Sequence, residues 1–291
     1  MTPIVTPDEM RAIDAAAAAG GTPVASLIER AGAAVAREAM RMMGGTYGRT
    51  VHVLCGKGNN GGDGLAIARL LRDHNVQRIR VVLAADPGEF KGDAKTNLDR
   101  LKEANICPEF EIPGKLQDRL EVTVVIDALL GTGVKGTPTG RFAELIRATR
   151  EFPAAKIVAV DLPSGLGGDG DIVRADITVT FTAPKVEHYL APGAEDHLGR
   201  LVVADIGCPP RFVPGGLEVD EMSNLAPLFA RRKRDGHKGD YGHVLVVGGA
   251  PGKSGAATMA GLAALRMGAG LVTITSPEAT AYAPELMTES L

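Results

Sequence analysis

The sequence predicts an α/β fold built on a mostly parallel sheet, and two observations carry that prediction. Short apolar runs (VHVLC from Val51, IRVVLA from Ile79, TVVIDALL from Thr123, KIVAVDLP from Lys156 and DITVTF from Asp176) alternate with longer stretches of helical pattern. Strands alternating with helices make βαβ units. The runs are also continuous in Val and Ile rather than alternating with polar residues, as in strands buried on both faces.

The elements follow in order. Thr6-Pro7-Asp8-Glu9 is a helix start: Thr6 caps, Pro7 takes the first helical position, and Glu9 lies where a capping box needs it. That helix is expected to run to about Ala18, where Gly20-Gly21 breaks it. A second, amphipathic helix is expected over 24–43, ended by Gly44-Gly45. After the five strands, LVVADIG at Leu201 closes the unit.

The first domain is placed at 1–218. Residues 219–291 then hold a linker, the basic stretch RRKRDGHKGDYG from Arg231, and a second α/β unit. In that unit HVLVVGGA reads as a strand, 255–267 as a small-residue helix and LVTITS as another strand. One βαβ does not bury a core alone, so this unit is expected to be incomplete. Val244, Val246 and Ile274 are expected to face solvent, and 284–291 to be poorly ordered unless a partner covers it.

Composition excludes several classes. In 291 residues, 32 basic side chains face 35 acidic ones, a net charge of -3. A nucleic-acid surface would be basic, so no such partner is expected. No stretch is long and apolar enough to span a membrane, and MTPIVTPDEM lacks the basic region and apolar core of a secretory signal. Cys55, Cys107 and Cys208 stand far apart without metal-ligand spacing, which suits a reducing cytosol and a cytoplasmic protein.

The strand VHVLC runs into GKGNNGGDG and then LAIARLLRD. A glycine loop opening a helix exposes backbone N–H groups suited to phosphate. Gly56-x-Gly58-x-x-Gly61 matches the dinucleotide fingerprint, and Asp86 ends the next strand where a ribose-binding acid would sit. A Rossmann-type NAD(P)-dependent oxidoreductase is therefore one reading. Against it, the loop carries Asn59, Asn60 and Asp63. Polar groups also recur after two later strands, Asp127 with GTGVKG and Asp161 with Pro163-Ser164-Gly165. In a parallel sheet these three loops converge outside the carboxyl ends of the strands, and hydride transfer needs no two carboxylates and a serine there. The bland alternative makes the glycines turns and the aspartates helix caps.

GKGNNGGDGLAIARLL, VVIDALLGTGVKG and VAVDLPSGL, in this order and with MRAIDAAA and TFTAPKVEHYLAPG, resemble the NAD(P)H-hydrate epimerase family, the YjeF N-terminal domain, over about 5–215. HKGDYGHVLVVGGAPGKSGAATMAGLAALRMGAGLVTI then resembles the start of an ADP-dependent hydrate dehydratase domain of ribokinase-like fold. The resemblance implies a three-layer, Rossmann-like α/β/α domain, usually dimeric, followed by an incomplete ribokinase-like unit. It implies interconversion of the R and S hydrates of NADH and NADPH beside one potassium ion. Carried over by motif, Asn59, Asn60, Gly61, Gly62 and Asp63, with Gly131, Thr132, Gly133, Val134, Lys135, Gly136 and Thr137, contact substrate. Asn60, Asp127 and Ser164 hold K+, and Asp161 meets the reacting ring. Oxygen ligands of this kind suit hard cations rather than zinc, and a cleft carboxylate such as Asp161 suits general acid–base work. The late segments that would bind ADP or ATP and carry the dehydratase acid are missing from the matched motifs, so no dehydration of the S hydrate is expected from this chain alone.

The other candidates read more plainly. Lys135 meets a phosphate or is a solvated loop lysine, and Lys185 at TFTAPK reaches the cleft or stays structural. His188 lacks a metal partner at ligand spacing and reads as a surface residue, and Cys55 as a small core hydrophobe. GGAPGKS at Gly248 leaves three residues before Gly-Lys where a P-loop needs four, so it is read as the glycine loop of the second unit.

Overall fold

The computed structural model describes residues 2–110, 121–133, 136–229, 231–277 and 283–290. Val134 and Lys135 lie outside the described residues. The chain separates into two units, Met1–Glu221 and Met222–Leu291.

In the first unit, strand β1 (Thr2–Ile4) precedes α1 (Pro7–Ala19), and the capping box of Thr6 and Glu9 is formed as expected. Next come α2 (Val24–Met43), β2 (Thr50–Cys55), α3 (Asn59–Asp73), β3 (Arg78–Leu83) and α4 (Gly92–Glu103). Beyond them lie β4 (Val124–Ala128), α5 (Gly140–Ala148), β5 (Lys156–Val160) and β6 (Ile177–Phe181). The unit continues with α6 (Glu187–Leu190), α7 (Ala194–His197), β7 (Arg200–Ala204) and β8 (Leu217–Val219). Six strands form a parallel sheet in the order β3-β2-β4-β5-β6-β7. The chain leaves β2 toward β3 and returns to β4 on the other side, which sets a topological switch point at β2 and β4, where open α/β sheets bind ligands. The antiparallel β1–β8 pair is too short to carry a sequence period, and the sequence does not announce it.

Burial on both faces makes the strands continuous in apolar residues. Val124 and Ile126 pack into the cluster that holds α1 to α4, while Val125 packs with Leu145 and Ile146 of α5. Helices thus cover both faces, giving three layers. The edge strand β7 departs from this, its residues half-buried or exposed, because an edge has no neighbour to cover it.

One sequence expectation about this unit needs correction. The glycine loop does not extend to Leu65: α3 begins at Asn59, so NNGGDG forms its first turns. Tertiary packing overrides the poor helix propensity of glycine, since a Cβ on Gly61 would stand 1.7 Å from the Gly56 carbonyl oxygen. Only a bare backbone lets the helix start this close to the strand end.

The second unit holds β9 (His243–Val247), α8 (Gly255–Met267), β10 (Leu271–Ser276) and β11 (Met287–Ser290) in a parallel sheet ordered β11-β10-β9. In the stretch expected to be poorly ordered, β11 pairs with β10, and Leu286 is buried with Ala257, Val272 and Ile274. Ile274 is buried rather than solvent-facing, Val246 is half-buried, and Val244 is exposed as expected.

Candidate active site

The carboxyl ends of β2, β4, β5 and β6 carry the polar residues. Asp127, the fourth residue of β4, is fully buried. Its carboxylate accepts from the Ser164 hydroxyl at 2.6 Å, from the Ser164 N–H at 2.8 Å and from the Leu129 N–H at 3.2 Å. Burial pushes its pKa up to about 6 against the lowering effect of those bonds. The Ser164 hydroxyl also accepts from the Leu130 N–H at 2.9 Å, so the loops after β4 and β5 are tied together through two side chains. Asn60, in the first turn of α3, lies against Gly131: a Cβ there would stand 3.3 Å from the Asn60 amide carbon. The amide nitrogen of Asn60 is buried without a hydrogen-bond partner. The three residues expected to hold a cation thus stand at the start of α3 (Asn60), at the end of β4 (Asp127) and in the loop after β5 (Ser164).

Asp161 follows β5 with φ +67°. That left-handed conformation is uncommon for a residue with a side chain, and Asp tolerates it better than most. It turns the chain at the carboxyl end of β5, an interior strand of the sheet. One carboxylate oxygen, Oδ1, accepts from the Thr180 hydroxyl at 2.9 Å and pairs with the Lys185 ammonium at 2.9 Å. Among the described residues the other, Oδ2, receives only the Thr132 N–H at 3.4 Å. Burial would raise this carboxyl, but the Lys185 charge and the Lys185 and Thr180 hydrogen bonds outweigh it and hold the pKa below its ordinary value.

Lys185 is buried, and His188 is buried beside it. The expectation of a surface histidine is wrong. His188 Nδ1 accepts the Lys185 N–H at 2.9 Å, and Nε2 lies 2.8 Å from the Asp161 carbonyl oxygen, so its Nε2–H donates there. Burial, more than any neighbouring charge, pushes its pKa down to about 4, which leaves the ring neutral. Thr182, between β6 and Lys185, adopts φ +65° with its hydroxyl oxygen buried and unpartnered, an uncommon state for a β-branched residue.

Two further carboxyls belong to this neighbourhood. Burial first, and then the charges of Asp161, Asp14 and Asp93, push Asp63 well above the ordinary carboxylate range. Asp14 of α1 is raised by burial, with Lys185 opposing and Asp161 adding to the shift. The sequence reading missed Asp14, whose signal was an acid placed beyond the first turn of the helix, just before a run of alanines. It also missed Thr180, whose signal was threonine at alternate positions of a buried strand.

The remaining predicted residues are placed differently. Asn59 is exposed at the first position of α3, and Gly62 is buried within that helix against Ala94. Gly133 is exposed. Gly136 and Thr137 lie beside Gly168 and Asp169, the Thr137 hydroxyl accepting the Asp169 N–H at 3.3 Å. Asp86 accepts from Gly88 N–H at 2.8 Å and caps its own exposed turn, which gives the supposed ribose acid a local structural task. Cys55 is buried and its thiol pKa strongly raised by burial, so it behaves as the expected core residue.

Residues 24–187 match the family described as YjeF-related protein N-terminus. The chain belongs to this family. Among curated relatives, the bifunctional NAD(P)H-hydrate repair enzyme Nnr of Moorella thermoacetica is 39% identical, the match covering 94% of this chain and 54% of that protein. The enzyme of the same name from Coxiella burnetii is 36% identical over 99% of this chain and 60% of its own. The chain thus spans little more than half the length of these relatives. The crystal structure of yeast ynu0 shares the fold, with a TM-score of 0.58 at 23% identity, covering 74% of this chain and 96% of that one. Among the described residues no helix is long and apolar enough to cross a membrane.

Proposed function

We propose that the first unit interconverts the R and S forms of hydrated NADH and NADPH. The observation that carries this reading is Asp161: a carboxylate held at a strained backbone position beside the switch point, with one oxygen saturated and the other nearly free. Inverting the hydroxylated ring carbon requires that its bond to oxygen or to the ring nitrogen break and re-form. Either route moves a proton on or off the hydroxyl oxygen, and Oδ2 of Asp161 is the group assigned to it. Burial and neighbouring carboxylates push Asp63 up where Lys185 holds Asp161 down, the separation expected of acid and base partners, so Asp63 is the candidate for the complementary acid. The names of the curated relatives support the substrate class.

The substrate is assigned to residues 59–63 and 131–137 on the strength of the family motif, with the N-terminal turns of α3 offering N–H groups to phosphate. A potassium ion fits Asn60, Asp127 and Ser164. All three offer hard oxygen donors, and the unpartnered Asn60 amide is an orphan that a half-turn converts into an oxygen at the same point. When bound, the ion supplies positive charge against the cleft carboxylates and the substrate's pyrophosphate. The three cysteines are unpaired, which supports the cytoplasmic setting, and a homodimer belongs to the same proposal.

The test is direct. Incubated with purified R hydrate, the protein is expected to produce the S form, resolved by chromatography, far faster than buffer alone. Conversion at the spontaneous rate by folded protein in potassium buffer overturns the proposal.

A further inference from the structure

We propose that Lys185 is a positioning residue for this reaction: its ammonium fixes one carboxylate oxygen of Asp161 and so leaves the other as the single oxygen that meets substrate. The inference rests on the reading of Asp161 given above.

Lys185 is 1% exposed. Its ammonium carries three donors, and each has an acceptor: the Thr180 hydroxyl at 2.7 Å, the Phe181 carbonyl at 2.9 Å and Asp161 Oδ1 at 2.9 Å. The Thr180 hydroxyl passes its own proton to the same Oδ1 at 2.9 Å. Ammonium, hydroxyl and carboxylate oxygen thus close a triangle on one side of Asp161, while among the described residues Oδ2 keeps only the 3.4 Å contact with Thr132.

The main chain is held as firmly. The Lys185 N–H is bound by His188, and Val5 brackets the segment, donating to the Pro184 carbonyl and accepting from the Val186 N–H. These main-chain bonds fix the root of a side chain that is itself almost wholly buried. A sealed ammonium with every donor used has no place for an incoming base, so Lys185 is not itself the proton donor and acts through Asp161. Its length also matters. A lysine stem reaching from beyond β6 supplies a point charge, whereas the planar fork of arginine would not fit the same three acceptors.

The experiment measures kcat and KM across pH for the full chain and for Lys185→Met, Asp161→Asn and the double variant, with folding checked by thermal melts. In Lys185→Met, kcat is expected to fall roughly tenfold or more, the scale on which misplacement of a reacting group acts, with KM little changed. The acid limb of kcat should move to higher pH, because the carboxylate has lost its counter-charge. The double variant should be no slower than Asp161→Asn. Folded Lys185→Met with wild-type kcat and an unmoved acid limb overturns the inference while leaving Asp161 in place, provided that Asp161→Asn is inactive. Full activity in Asp161→Asn overturns the Asp161 reading itself. If Lys185→Met does not fold, Lys185→Arg decides. It keeps the charge but not the geometry, so reduced kcat with the acid limb at its wild-type pH supports the inference, and wild-type kcat overturns it.

Discussion

The hydroxyl and the backbone N–H of Ser164 both donate to the carboxylate of Asp127, at 2.6 and 2.8 Å. This pair, 37 residues apart in the chain, locks the loop after β5 to the end of β4 and sets the floor of the candidate site.

Breaking that lock tests the cation. In the wild type, KCl should raise the melting temperature relative to matched choline chloride. At about ten times the dissociation constant the gain is about 1.4 kcal/mol by mass action. Asp127→Ala removes one oxygen ligand and the anchor of Ser164, so the potassium-dependent gain should vanish. A melting curve that responds to potassium equally in both proteins would remove Asp127 from the ion site.

Asp161→Asn keeps the shape of the side chain and removes the base. Epimerisation should fall by about two orders of magnitude, the usual scale of general acid–base catalysis. The amide also leaves the Lys185 ammonium buried without its counter-charge, and breaking a buried pair from one side costs about 3–5 kcal/mol. Denaturant titration should show that loss, and Asp161→Asn combined with Lys185→Met should recover most of it. A stable, fully active Asp161→Asn would refute both roles.

The two glycine contacts separate structure from function. Gly61→Ala drives a Cβ into the Gly56 carbonyl at 1.7 Å, so it should unfold the loop or prevent α3 from starting at Asn59. In Gly131→Ala the nearest atoms to the new Cβ belong to the Asn60 side chain, at 3.3 to 3.4 Å, and a shift of a few tenths of an ångström absorbs it. Its melting temperature should stay near wild type while turnover falls, roughly tenfold, through the displaced Asn60. Wild-type turnover in Gly131→Ala would mean that the position of Asn60 is not critical.

His188 carries a pH dependence. Its pKa is pushed down to about 4 in the folded protein, from the 6.5 of a free imidazole. Between these values the unfolded chain binds a proton that the folded protein refuses, so stability is full above pH 6.5 and declines as pH falls toward 4. The loss between pH 7 and pH 4 amounts to about 3 kcal/mol. His188→Asn keeps an acceptor and a donor without titrating. Urea unfolding at both pH values should therefore show a shallower acid loss in the variant. Equal losses would mean that His188 does not carry the difference.

Much of the frame is written locally. The capping box of Thr6 and Glu9 and the terminator at Gly44 act through neighbouring residues, so the bounds of the first two helices follow from adjacent side chains. Continuous Val and Ile runs announce buried parallel strands because burial on both faces forbids alternation. The polar loops at three strand ends were legible for the same reason: a parallel sheet gathers the carboxyl ends of its strands on one side.

Tertiary structure decided what those loops do to one another. No local rule says that NNGGDG is helical, because the benefit comes from close approach to the Gly56 carbonyl rather than from propensity. No spacing shows that His188 is buried and bonded to the carbonyl of Asp161, 27 residues earlier, or that Lys185 spends all three of its donors inside the protein. The ionisation of Asp161, Asp63 and His188 is set by burial and by charges brought together from distant parts of the chain. A sequence names the titratable groups, but the field in which each one titrates exists only once the chain has folded around it.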